Sequence, residues 1–478
     1  MTEVDRRLIL ENNFLLAAIR DRRDSRRERN CRLPQAGSVA DLAKGGLGVL
    51  LSVFLVPALA VAAEPASDDN LQQAGALLRA AATERCPAAF LDPQGVEDQT
   101  PGPLKGYLAA AVNDRGPADA WVRREVILEK AGSDLSISLS ATRAGGALRR
   151  ISLTALDEAG KRPLMTALAD GTCLIHHGRA LQYDAAGDAS TLIHLAPDLA
   201  QVETTEPLNP PVPAGDDPGG VTVAHIDSGV NYLLPEITKR LARDQEGKAL
   251  GQDFWDLDDR PFDGDTGRSP FFPIRHGTPV ASLLVAEAPD IRLVPYRYPR
   301  PDMTRMGEIV SAAAAAGAGI VALPMGSRQP GDWESFAAAA KRYSNLLFIV
   351  SAGNDGRDID ADPLYPASLT LENMIVVTSS DAFGRLARGS NWGPLSVDLM
   401  VPAEQLEVID YRGARGQASG SSYAVPRVAA LAARLKAAHP DWQAAELKRA
   451  ILARAVTPLQ RGAARVAAGW IPNPADDD

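Results

Sequence analysis

VTVAHIDSG, residues 221–229, is an apolar run that stops at an aspartate, a serine and a glycine. It reads as a buried strand with Asp227 at its tip, because Asp-Ser-Gly suits the turn that ends a strand. Further runs of this kind follow: IRLVPY (291–296), GIVALPM (319–325), LLFIVSA (346–352) and MIVVTSS (374–380), with helical stretches between them. Continuous apolar strands alternating with helices predict an α/β fold, a doubly wound, mostly parallel sheet covered by helices on both faces. In such sheets chemistry collects at the carboxyl ends of the strands.

Upstream the pattern changes. Residues 206–220 lie in a Pro/Gly-rich, acidic stretch, ETTEPLNPPVPAGDDPGG (203–220), which reads as a linker. The region 65–205 begins with a helical pattern over about 68–84 and continues in alternating segments, WVRREVILEK (121–130), DLSISLSATR (134–143) and ALRRISLTAL (147–156). Short runs near 163–195 extend the series, with Gly and Asp at the breaks, as hairpin turns have. These segments predict a small α+β domain with an antiparallel meander, either a prodomain removed by cleavage in the linker or a permanent accessory domain. Residues 471–478 form an acidic tail after the main domain at 221–470.

Residues 1–64 read as a leader. Its uncharged run GGLGVLLSVFLVPALAVAA (45–63) follows the basic stretch RDRRDSRRER (20–29) and ends in small-x-small sites at Ala58-Leu59-Ala60 and Ala60-Val61-Ala62. A cleaved export signal is the first reading and an uncleaved membrane anchor the second. The protein is therefore expected in the periplasm, the cell envelope or the medium. The stretch before the run is long for a signal peptide, which a true start at Val39 would explain.

The bulk numbers narrow the class. A chain of 478 residues exceeds one ordinary domain, and 45% hydrophobic residues with 40 Gly and 35 Pro suit a loop-rich globular protein. A net charge of −10 lacks the basic face that nucleic acid needs. Of three cysteines, Cys31 falls in the leader; Cys86 and Cys173 fit one disulfide or two buried thiols equally. With no CxxC or HExxH, a zinc site has no basis. The acidic loop DFWDLDDRPFDGD (253–265) matches no defined calcium loop, so a solvated loop is preferred to a structural calcium site. No cofactor is required, and nothing in the sequence sets an oligomeric state.

Four groups stand at strand-to-helix junctions. Asp227 ends the first strand; RHGTPVASLL (275–284) puts His276 at the start of an apolar helix; LLFIVSA runs into Gly353 and Asn354. The fourth is GSSYAVPRVAALAARL (420–435), a buried helix with Ala424, Val428, Leu431 and Leu435 at helical spacing, entered through a glycine and two serines. Capping accounts for one serine. A hydroxyl projecting from the helix start accounts for the other, with Pro426 placed in the first turn where its missing N–H is not needed. A serine becomes nucleophilic when an imidazole takes its proton, and that imidazole needs a carboxylate to fix its tautomer. The resulting oxyanion needs preset donors, which the Asn354 amide and the backbone N–H of Ser422 would supply.

The order Asp, His, Asn, Ser in HIDSG, HGTPVAS, SAGNDG and SGSSYAVPRVAAL resembles the subtilisin-like serine peptidase family over roughly residues 221–460, with a weaker match at SNWGPLSVDLMVPA (390–403). The resemblance implies a serine endopeptidase acting on protein or peptide substrates. It makes Asp227 the orienting acid, His276 the general base, Asn354 the oxyanion donor and Ser422 the nucleophile, with Ser421 in place of the usual threonine. It further implies that Pro324, Met325 and Gly326 pair with an extended substrate, and that Ala352 and Gly353 form the opposite pocket wall with Leu364 at the floor. Pro279, Arg427 and Ala430 depart from common family residues without removing a catalytic atom.

His225, two residues before Asp227 on the same strand face, reads as a core histidine, and exchange for valine is expected to leave hydrolysis largely intact. Activity is expected to rise as His276 deprotonates near about 6.5. An α/β-hydrolase would need an acid and then a histidine after Ser422; only His439 follows, ahead of Asp441. A catalytically silent binding protein of the envelope is the remaining rival.

Overall fold

The computed structural model describes residues 68–93, 102–117, 119–157, 162–457 and 464–476, and the chain divides into two compact units. The leader, with its apolar run at 45–63 and Cys31, lies outside the described residues. Among the described residues no helix is long and apolar enough to cross a membrane.

The first unit opens on α1 (Asp68–Ala80), whose Ala74, Leu77 and Leu78 share one face and are buried. Eight antiparallel strands follow in a sheet whose spatial order is their chain order. They are β1 (Leu108–Arg115), β2 (Arg123–Glu129), β3 (Leu135–Ala144), β4 (Ala147–Asp157), β5 (Arg162–Asp170), β6 (Ile175–Tyr183), β7 (Ala189–Leu195) and β8 (Val202–Pro207). On β3, Leu135, Ile137 and Leu139 alternate with serines that are also buried, and Ser138 satisfies its hydroxyl by donating to Glu125 (2.8 Å). The expected meander is present, and two strands extend it. β1 and β8 are edges paired on one side only, so their ladders form without the apolar alternation that marks the inner strands. A disulfide joins Cys86 to Cys173, with Cα atoms 6.0 Å apart, which decides between the two readings of this pair. Constraining a loop of 87 residues stabilises the fold by about 4.5 kcal/mol through the unfolded chain.

The second unit holds one parallel sheet in the spatial order β10 (Gln252–Asp253), β11 (Ile291–Arg297), β9 (Val221–Asp227), β12 (Ile320–Leu323), β13 (Leu347–Ser351), β14 (Met374–Ser380), β15 (Leu399–Pro402), β18 (Gly469–Trp470). A two-stranded hairpin, β16 (Leu406–Ile409) and β17 (Arg415–Ala418), stands apart from it. The side chains alternate along each strand, so one face of β9 presents Val223 and the other presents Ala224 and Ile226. The Val223 face is covered by α2 (Gly277–Glu287) and the long α5 (Ser421–Ala438), with α6 (Ala444–Leu452) beside it. The other face packs on α3 (Met306–Ala315) and α4 (Glu334–Arg342).

Winding reverses at β9, because β11 lies on one side of it and β12 on the other. A crevice therefore opens beyond the carboxyl ends of β9 and β12, where such sheets bind ligands. The stretch read as a linker does not behave as a free tether. Its first residues form β8, and from Leu208 it belongs to the second unit. There the Pro210 carbonyl accepts from Tyr232 (2.5 Å), the Pro213 carbonyl from Arg243 (2.9 Å), and Asp217 from the Arg243 N–H (2.6 Å) and the Arg292 guanidinium.

Candidate active site

Asp227 and His276 meet at the crevice. The last residue of β9 is Asp227, and its carboxylate is buried with 3% of the side chain exposed. His276 precedes the first residue of α2, and its Nδ1 lies 2.9 and 2.8 Å from the two carboxylate oxygens of Asp227. A carboxylate only accepts, so Nδ1 carries the proton and Nε2 is left free to take one. Burial raises the pKa of Asp227, but the charge and hydrogen bond of His276 outweigh it and hold the carboxyl below its usual range. Burial likewise opposes a charge on His276; the charge and hydrogen bond of Asp227, with Asp263 behind them, prevail and hold the imidazole above its ordinary value. The expected titration near 6.5 is corrected upward for that reason.

Two residues that sequence reasoning passed over hold this corner. Ser228 Oγ accepts from the backbone N–H groups of His276 (3.2 Å) and Gly277 (3.0 Å) while donating to Asp263 (2.7 Å). The fully buried Asp263 also accepts from the Thr278 N–H (2.8 Å) and hydroxyl (2.5 Å). Together they satisfy the free N–H groups at the start of α2 from outside the helix. The cue was present in HIDSG and the acidic loop, but no local spacing links residue 228 to 263. Gly277 is required there by space: a Cβ would stand 1.9 Å from the Gly229 carbonyl oxygen.

Ser422 enters from α5. Gly420, at φ 125°, caps the helix, and a Cβ on it would come 3.0 Å from Asn354. Asn354 Oδ1 accepts from the backbone N–H of Ser421 (2.8 Å) and from its hydroxyl (3.0 Å). That N–H can only donate, so the amide NH₂ of the exposed Asn354 points away from it. The Ser421 hydroxyl is spent on Ser351 (2.7 Å) and Asn354, so of the two serines only Ser422 keeps its hydroxyl outside that pair of contacts. Ser422 Oγ donates to the Pro324 carbonyl (3.3 Å) rather than to the imidazole, although the next residue, Tyr423, lies 6.3 Å from His276 between ring centroids. Pro426 requires a correction. It sits inside α5, beyond the first turn, and lacks the N–H that would bond to the Ser422 carbonyl four residues earlier.

Pro324, Met325 and Gly326 leave β12 in that order, with Pro324 buried and Gly326 exposed. Ala352 and Gly353 leave β13, with Gly353 at φ 92°. Leu364 lies between the two segments. A Cβ on Gly353 would meet its Cδ2 at 2.5 Å and one on Gly326 would meet it at 3.4 Å. His225 is fully buried, with Nε2 3.2 Å from the Gly277 carbonyl and 3.8 Å from Asp227. In the acidic loop, Asp253 pairs with Arg297 (2.8 Å), as does Asp256; Asp259 pairs with Lys248 (2.9 Å), and Asp265 accepts from Tyr298 (2.5 Å).

A sequence profile of the Subtilase family matches residues 219–470, more than half of the 478 residues. The chain belongs to the subtilase family, and the parallel sheet between helical layers is its subtilisin-like fold. The alkaline serine exoprotease A of Vibrio alginolyticus is 28% identical over 261 residues, 52% of this chain and 45% of its own. The minor extracellular protease Vpr of Bacillus subtilis is 33% identical over 149 residues, 29% of this chain and 18% of its own. The chain thus spans less than half the length of these relatives. Among solved structures, a cold-adapted subtilisin-like serine proteinase is similar with a TM-score of 0.44 and 24% identity, covering 56% of this chain and 94% of that one.

Proposed function

We propose that the second unit is a serine endopeptidase that cuts peptide bonds through an acyl-enzyme on Ser422. The observation that carries this is the two-oxygen contact of Asp227 with His276 Nδ1, which fixes the tautomer with Nε2 basic. In the reaction the Ser422 hydroxyl leaves the Pro324 carbonyl for Nε2, a catalytic hydrogen bond of the kind that substrate binding tightens. Its oxygen then bonds to the scissile carbon as its proton passes to His276. The oxyanion is received by the Asn354 NH₂ and the Ser422 N–H, at the positive end of α5. Collapse returns that proton to the leaving amine, and water repeats the sequence to release the acid.

The slot beside Ser422 reads as an apolar, shallow pocket for one substrate side chain, because a Leu364 methyl stands close to both glycine walls. The acidic loop needs no ion, since its carboxylates are spent on arginine, lysine and hydroxyl groups. An unchanged melting midpoint on adding a chelator is the expected result. Export is supported by the disulfide, which persists outside reducing compartments, and by one relative being an extracellular protease. The deciding experiment is labelling with a serine-reactive phosphonate. Wild-type protein should be modified at Ser422 and Ser422→Ala should not; a folded wild type that stays unmodified would favour the silent binding protein.

A further inference from the structure

His225 is a buried imidazole that the proposed reaction does not use. It stands on β9 with the same outlook as Asp227, and it is fully buried, so no substrate atom reaches it. A carbonyl only accepts, so the 3.2 Å contact with Gly277 places the proton on Nε2. The same N–H edge lies 3.8 Å from Asp227, on the oxygen that also faces His276. Nδ1 is buried with no hydrogen-bond partner among the described residues. Leaving such an atom unsatisfied destabilises the fold, a penalty that an aliphatic side chain would avoid.

The surroundings keep the ring neutral. Its partners across the ladders are Pro295 of β11 and Ala322 of β12, and the core residues of α5 are apolar, Ala424, Val425 and Val428 among them. The charged groups acting on it are Asp227 and His276. A second proton would need an acceptor at Nδ1, and the described residues offer none. The ring is therefore a fixed, uncharged N–H donor, wedged between the carboxylate of Asp227 and the residue that follows His276.

We infer that His225 is a positioning residue for the Asp227–His276 pair: its one N–H, on Nε2, holds the Gly277 carbonyl and turns its positive edge to the Asp227 carboxylate from the core side. This rests on the reading of His276 as general base, and it assigns no proton transfer to His225. Without that N–H the charge of Asp227 is less compensated and holds the His276 proton more tightly. The His276 titration then moves to higher pH.

The test compares wild type with His225→Val and His225→Gln, the amide keeping an N–H near the place of Nε2. His225→Val should melt close to wild type, because losing the unsatisfied Nδ1 offsets losing the bond to the Gly277 carbonyl, yet turn over a peptide ester roughly threefold more slowly with KM little changed. The midpoint of His276, followed by proton NMR in a Ser422→Ala background, should rise by roughly 0.5 pH unit. His225→Gln should restore both toward wild type. An unmoved His276 midpoint in the valine variant overturns the inference, as does a glutamine variant no nearer wild type than valine, or a rate loss that tracks a lowered melting point. The NMR reading needs no turnover, so a wild type that binds and never cuts would sink the peptidase reading while leaving this one to stand or fall on the midpoint.

Discussion

The two units use their sheets in opposite ways. In the first, strands adjacent in space are adjacent in the chain from β1 to β8, so each hairpin closes locally. In the second, the order is shuffled around β9, and side chains from residues 227, 276, 354 and 422 gather at one end of the sheet. Local pairing makes a scaffold that tolerates polar edges such as β8. Crossover pairing brings distant strand tips together, which is what a multi-residue site needs. The first unit carries a covalent staple; the second rests on two apolar layers and a web of buried carboxylates.

Substitutions can break that contrast or sharpen it. The largest effect is expected from Ser422→Ala, with kcat falling ~10⁶-fold, a figure known from a subtilisin, while the melting point holds. If the first unit is removed by self-cleavage, this variant should also accumulate uncut on a gel, and normal trimming would refute self-processing. Next comes Cys86→Ala with Cys173→Ala, which should destabilise the first unit by about 4.5 kcal/mol and leave hydrolysis per folded molecule unchanged. A matching loss of hydrolysis would show that the units are energetically coupled. Asn354→Ala should lower kcat ~10²–10³-fold, again a figure from a subtilisin, and it should cost stability as well because Ser421 loses its acceptor. Leu364→Gly should raise kcat/KM for peptides with a large aromatic side chain over alanine by about tenfold, read by profiling a peptide library.

The smallest effect is a displaced pH profile. His276 must be neutral to accept a proton, and its pKa is held above the ordinary imidazole value, so the rise in kcat/KM should be centred above about 6.5. At that pH less than half of the enzyme would be competent. A midpoint at or below 6.5 would mean that burial outweighs Asp227 in solution.

The runs 221–226, 291–296, 346–352 and 374–380 became β9, β11, β13 and β14 within a residue or two at either end, because a doubly covered strand announces itself by continuous apolarity. Asp227 and His276 could be placed at element ends from local patterns alone, and they proved to be in contact. Ser228 and Asp263 could not, since their partnership is fixed by tertiary approach and leaves no periodicity. The edges β1 and β8 escaped because a ladder on one side asks for little hydrophobic content. Pro426 was misplaced by counting from the serines instead of from the cap at Gly420. The Ser422 hydroxyl lies against the carbonyl of Pro324, a residue that the sequence assigned to substrate pairing and not to contact with the serine.

The family resemblance begins at residue 219, whereas the folded unit begins at Leu208. Those eleven intervening residues form a collar in which Pro213 and Asp217 answer Arg243 and Arg292. A shortened protein designed from homology alone would strip that collar and take one acceptor from each of these two guanidinium groups, leaving Arg243 with the Gly247 carbonyl and Arg292 with the Arg243 carbonyl. Ancestry and mechanical integrity draw different borders on this chain.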